Sequence, residues 1–137
     1  MTLTLAAAEK ILADNFAPWV LDLGLSVSSV DRQEAVLRLP WSDRLAREGG
    51  GLSGQALMAA ADTATVIAVA AARGGFVPMT TVQQSISFQR AVAGADVLVR
   101  ARLTKSGKRM AFADIVMTAD GTDETAAHAT AVYALLG

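Results

Sequence analysis

The 137-residue sequence has no cysteine, which excludes disulfides, thiolate nucleophiles and cysteine metal sites. It has one histidine, His128, so no zinc site built from this chain alone is expected. Charge is scarce: 18% of residues are Asp, Glu, Lys or Arg, against roughly 25% in an average domain. The 12 basic and 13 acidic side chains nearly cancel, so no broad positive field exists for a nucleic-acid backbone or an anionic membrane, and phosphate recognition has to be local. Aromatics, at 5%, are too few for a base-stacking platform. What is abundant is aliphatic: 53% of residues are hydrophobic. A chain of this size buries a core without staples, and its apolar excess predicts a homo-oligomer, since monomers seldom expose large apolar patches.

Residues 1–20 read as a helical extension of a single domain spanning 1–137. Ile11, Leu12 and Phe16 fall at helical spacing from Ala6 to Phe16, ending before Pro18, which predicts a short amphipathic helix on the outside. Glu9, Lys10, Asp14 and Asn15 interrupt this stretch, so it does not read as a secretory signal, and a cytoplasmic location is expected. Leu25 to Val30 and Ala35 to Leu39 alternate around Asp31-Arg32-Gln33-Glu34 and predict two strands joined by a turn. A glycine-bearing loop, Trp41 to Gly54, leads into a helix over Gly54 to Arg73, closed by Gly74-Gly75. That helix is apolar nearly all round, but the run from Ala56 to Ala72 is short for a membrane span and carries Asp62, Thr63 and Thr65, which predicts a wrapped core helix. Four strands are expected after it, Thr80 to Arg90, Val97 to Lys105, Met110 to Ala119 and Thr125 to Leu136. Short connections predict consecutive antiparallel neighbours, giving an α+β domain with a curved sheet on one long helix.

Asp62 is the most informative residue, a carboxylate amid apolar helical turns. Either it hydrogen-bonds a neighbouring loop or subunit and sets register, or it faces a cleft and acts on a carbonyl as general base or nucleophile. In the second case it needs hydroxyl or water partners to stay ionised, and Thr81 is a candidate. The preceding Gly49-Gly50-Gly51-Leu52-Ser53-Gly54-Gln55 delivers free backbone N–H groups to the helix N-terminus. The amides of Gly54 and Gln55 could there hold a thioester oxygen, with Asp62 two turns deeper on the same rod; alternatively, Ser53 simply caps the helix. Arg100, Arg102, Lys105, Lys108 and Arg109 form a basic spot, read either as a solvated hairpin tip or as a grip for the phosphates of a carrier such as coenzyme A. Asp120, Asp123 and Glu124 have the wrong spacing for a calcium loop, so no metal is expected. His128 reads as a structural histidine rather than a triad member.

The run Ser53-Gly54-Gln55-Ala56-Leu57-Met58-Ala59-Ala60-Ala61-Asp62 resembles the helix signature of hotdog-fold acyl-CoA thioesterases of the phenylacetate-degradation (PaaI-like) type, His-Gly-Gly, six residues, then Asp. Ser53 stands at the histidine, Gly54 and Gln55 at the glycines and Asp62 at the catalytic carboxylate. Thr80-Thr81-Val82 to Phe88 is similar to the strand that supplies a hydroxyl near that carboxylate, at Thr81. Arg90 to Gly94 and Lys105-Ser106-Gly107-Lys108-Arg109 resemble later segments. The sequence departs from the pattern at Ser53, which has no imidazole, at Gln55, which adds a side chain, and at Arg47, where members often carry asparagine.

The resemblance implies a hotdog fold, paired subunits with sites at their interface, and hydrolysis of an acyl- or aryl-acyl-CoA thioester with no cofactor beyond the coenzyme A of the substrate. Asp62, Gly54, Gln55, Thr81 and Ser53 are the expected catalytic positions. Arg90, Lys105, Lys108, Arg109, Met58 and Phe88 are the expected substrate and coenzyme A contacts, and Val66, Phe76 and Met79 are further candidates for the acyl pocket. Rival readings are a non-catalytic acyl-CoA binding protein on the same fold and an assembly module whose Asp62 only locks a dimer.

Overall fold

A computed structural model describes residues 3–136. Helix α1 (Leu5–Asp14) begins where the Thr4 hydroxyl accepts the Ala7 N–H, a side-chain cap for one of the four unpaired amides of a first turn. It is the expected amphipathic helix on the outside: Leu5, Ala6, Glu9, Lys10, Ala13 and Asp14 are exposed, while Ala8, Ile11 and Leu12 are buried where it packs on strand β1 (Ser26–Val30) and helix α3 (Gly54–Arg73). Pro18 does more than end α1; it opens a further turn, α2 (Pro18–Leu21), its fixed φ and missing N–H suiting a first helical position.

Strand β2 (Glu34–Leu39) returns antiparallel to β1 across a turn in which the Asp31 carboxylate accepts the N–H groups of Gln33 and Glu34 at 2.8 and 2.9 Å. After α3 come β3 (Met79–Phe88), β4 (Val97–Ser106), β5 (Met110–Ala119) and β6 (Thr125–Leu135). The six strands form one antiparallel sheet in the order β1-β2-β4-β5-β6-β3.

The expectation that each strand lies beside the next therefore fails at one place. β3 and β4 are successive in the chain, yet β6 and β5 lie between them. The connection of residues 89–96 crosses three strand spacings, about 14 Å, well within the ~27 Å reach of eight residues. A short link thus permitted a crossover that the sequence alone had counted as a hairpin.

On the concave face stand Val97, Val99, Ala101 and Leu103 of β4, Ala111, Ala113, Ile115 and Met117 of β5, and Ala127, Ala129, Ala131, Tyr133 and Leu135 of β6, all buried. Facing them, α3 presents Ala60, Ala61, Ala64, Ala68, Ala70 and Ala71. Small residues on both sides let helix and sheet approach closely and fill the volume between them. By length and hydropathy α3 could cross a membrane, but 72% of its most apolar stretch is buried in the domain; it is the core helix the sheet wraps, and the architecture is the α+β hotdog fold. Gly74 closes α3 at φ 77°, donating to the carbonyls of Ala70 and Ala71.

Candidate active site

From Ala60 to Ala71 every residue of α3 is buried except Asp62. Its side chain opens onto a cavity of 250 Å³, walled by Phe16, Val66, Phe76 and Met79 and rimmed by Asn15, Thr80, Thr81 and Tyr133. The Thr81 hydroxyl donates to Asp62 Oδ1 at 2.9 Å. The Tyr133 hydroxyl reaches the same Oδ1 and also lies 3.1 Å from the Asp62 carbonyl oxygen.

A bulge lets Thr81 take part. In the pairing of β3 with β6, Thr81 stands opposite Tyr133 and Gln83 opposite Val132, so Val82 is the extra residue, pushed out to 56% exposure. With strict alternation, Thr81 and Gln84 would point to opposite faces; one inserted residue turns both toward α3. Gln84 accordingly donates to the Met58 carbonyl at 3.0 Å.

At the N-terminus of α3, the Ser53 hydroxyl accepts the Ala56 N–H at 3.2 Å, so Ser53 is the helix cap. The amides of Gly54 and Gln55 meet no protein acceptor among the described residues, leaving the donors and positive dipole end of the first turn open. The loop before them is pinned by the Trp41 indole N–H on the Gly50 carbonyl at 3.0 Å, with Gly49 and Gly50 at φ 92° and 91°. Gly54 borders a cavity of 350 Å³ with Arg47, Leu57, Phe88 and Arg90, and the Phe88 ring lies directly over it: a Cβ on Gly54 would stand 3.2 Å from Phe88 Cζ. Ser53 and the Gln55 side chain border a third cavity, of 240 Å³, with Trp19 and Arg44.

The expected residues therefore fall into separate groups. Asp62 and Thr81 meet as expected, joined by Tyr133. Gly54, Phe88 and Arg90 meet at the helix start. Eight residues of helix separate Gly54 from Asp62, a rise of about 12 Å, so within one protomer the two groups stand apart along the rod. Of the acyl-pocket candidates, Val66, Phe76 and Met79 line the Asp62 cavity and Phe88 the other. Met58 lines neither and is 39% exposed.

The basic spot lies elsewhere. The Arg73 guanidinium donates to the Gly107 carbonyl, placing Lys105, Lys108 and Arg109 at the far end of α3, about 28 Å from Gly54 by helix rise. Arg100 is paired with Glu34 at 2.9 Å, and Arg90 with Glu124 at 2.8 Å. His128 contacts Asp114 at 3.1 Å on the outer face of the sheet, away from Asp62, as a structural histidine does.

Tyr133 was missed from the sequence, although a signal existed: it continues the inward alternation of Ala127, Ala129 and Ala131, and a phenol on an apolar face needs a partner for its O–H. Its own ionisation is pushed well above the usual tyrosine range, first by burial and then by the Asp62 carboxylate beside it.

The description of the thioesterase superfamily matches residues 49–126, more than half of the chain and including α3 with Asp62. A solved mutant of phenylacetic acid degradation protein PaaI from Thermus thermophilus is 26% identical, covering 88% of this chain and 100% of that one at a TM-score of 0.76. Zebrafish thioesterase superfamily member 2, at 24% identity, covers 98% of this chain and 100% of that one at a TM-score of 0.87. Escherichia coli PaaI, from the phenylacetic acid degradation operon, is 20% identical with 97% and 96% covered and a TM-score of 0.82. These last two show likeness of fold. No curated protein matches the chain. With a sheet-wrapped helix, one opened carboxylate on it and the matched segment running through both, the chain belongs to the thioesterase superfamily and is a PaaI-like hotdog protein.

Proposed function

We propose that the protein is an acyl-CoA thioesterase that hydrolyses an acyl- or aryl-acyl-CoA to free acid and coenzyme A, with each site built between two protomers. The observation that carries this reading is Asp62: it alone interrupts the burial of α3 from Ala60 to Ala71, and it faces a cavity with hydroxyl donors on its carboxylate. It either takes the proton of an attacking water or bonds to the carbonyl carbon itself. The free amides of Gly54 and Gln55 stabilise the charge gathering on the carbonyl oxygen. Because ~12 Å of helix separates them from Asp62, the amides come from a second copy. Support for the pairing comes from β3, an unpaired sheet edge flanked by half-exposed Met58, Val82 and Phe88, the kind of surface natural sheets cover. Arg47 and Arg90 are the cations that line the Gly54 cavity at the helix start. Lys105, Lys108 and Arg109 stand at the far end of α3, about 17 Å of helix rise beyond Asp62, and are the further cations offered to the phosphates of that same thioester.

The test is turnover of a panel of acyl- and aryl-CoA esters, with subunit mass, for the parent and Asp62→Asn. Loss of about a hundredfold or more is expected; an Asn variant as fast as the parent removes the mechanism. One observation favours a second reading, acyl-CoA binding without turnover: Ser53, at the family's histidine position, commits its hydroxyl to the cap. Calorimetric affinity for the thioester with no hydrolysis by the parent would select it.

A further inference from the structure

The Asp62 carboxylate is held without a cation. Among the described residues it forms no ion pair. The elements around its cavity contribute Asn15 and Phe16 beyond α1, Thr80 and Thr81 from β3 and Tyr133 from β6, none of them charged. Two hydroxyls replace the missing cation, and both donate to Oδ1. An oxygen with two donors has its lone pairs engaged, while Oδ2 accepts no hydrogen bond among the described residues.

We propose, resting on the thioesterase reading, that Oδ2 is the reacting oxygen of Asp62 and that Tyr133 is the positioning residue that makes it so. The two donors are unequal. Thr81 is an exposed residue of an edge strand, whereas Tyr133 is 3% exposed and set in the core face of β6, so its ring fixes the direction of the O–H. Burial and the neighbouring carboxylate keep that proton on the phenol, which makes Tyr133 a donor throughout the neutral range. With Oδ1 anchored, Oδ2 takes a proton from water as the water oxygen bonds to the carbonyl carbon. The C–S bond then breaks, and the departing thiolate receives that proton from Asp62. Asp62 and Thr81 lie within the residues 49–126 matched by the superfamily, and Tyr133 lies beyond them.

Tyr133 is the only tyrosine, so phenolate absorbance in the near ultraviolet reports it alone. The parent should ionise above the ordinary value of about 10, and Asp62→Asn should lower the midpoint; a midpoint that the substitution leaves in place overturns the contact. In turnover, Tyr133→Phe should lower kcat about tenfold, the scale of one hydrogen bond to a charged group, with KM nearly constant. Its thermal midpoint, measured alongside, separates this from unfolding. A folded Tyr133→Phe with parental kcat overturns the proposal while leaving an Asp62-dependent hydrolase intact. A parent with no thioester turnover removes both.

Discussion

Gly54 stands in the first turn of α3 beneath the Phe88 ring, and its missing side chain is what leaves room there. A methyl at this position meets Phe88 Cζ at 3.2 Å, so one partner has to give by a few tenths of an ångström. Phe88 is 51% exposed at the end of an edge strand and can swing outward. Gly54→Ala should therefore keep or raise stability by up to ~1 kcal/mol, since alanine loses less entropy in a helix. The same change narrows the cavity beside the free amides, and kcat/KM should fall on the order of tenfold, as small displacements of a reacting group do. Thermal unfolding and turnover of one variant read the two effects separately; a variant unchanged in both would mean that no substrate passes there. Asp62 itself was legible in the sequence because a lone carboxylate in an alanine-rich helix breaks its pattern. The inward face of Tyr133 was legible in its alternation as well, but its partner was not, because Asp62 stands 71 residues away and no local spacing announces the meeting.

At the scale of the element, α3 is bounded by local chemistry: Ser53 at its start and left-handed Gly74 at its end. Both ends were readable because capping depends on residues within one turn. Ser53→Ala should cost about 1 kcal/mol through the lost bond to the Ala56 N–H, and Ser53→Asp, which also caps, should restore stability; matched thermal midpoints for parent and Ser53→Ala would show that the cap adds nothing. The bulge at Val82 had no such signature. It exists because β3 has to match β6 on one side and offer both Thr81 and Gln84 to α3 on the other, a demand set by two distant elements together.

For the molecule as a whole, a polar clamp ties separate parts of the chain at one sheet end. Asp96, just before β4, accepts the Trp41 backbone N–H and an Arg38 guanidinium N–H, each at 3.0 Å, and Arg38 also reaches Asp120 at 2.9 Å. The Trp41 N–H first, and Arg38 second, hold the Asp96 carboxyl below its ordinary value of 3.8. A carboxyl that binds its proton more weakly when folded adds stability that is fully present above the unfolded value. That stability is lost as the pH falls through the lower folded one. The parent's thermal midpoint should therefore drop more steeply below about pH 4 than that of Asp96→Asn; parallel acid limbs would show that the clamp is not coupled to folding.

By itself the sequence determined the parts with short-range causes: the long apolar helix and its caps, the strands, the turn at Asp31 and the carboxylate that does not belong among alanines. Each rests on neighbours within a few residues, where periodicity and capping act. Only the tertiary structure decided that β3 lies beside β6 rather than β4 and that Tyr133 shares Oδ1 with Thr81. It alone placed the basic hairpin and the helix start at opposite ends of one rod. Those outcomes depend on which surfaces fill one volume around α3, and close packing is a property of the whole chain that no single window of sequence contains.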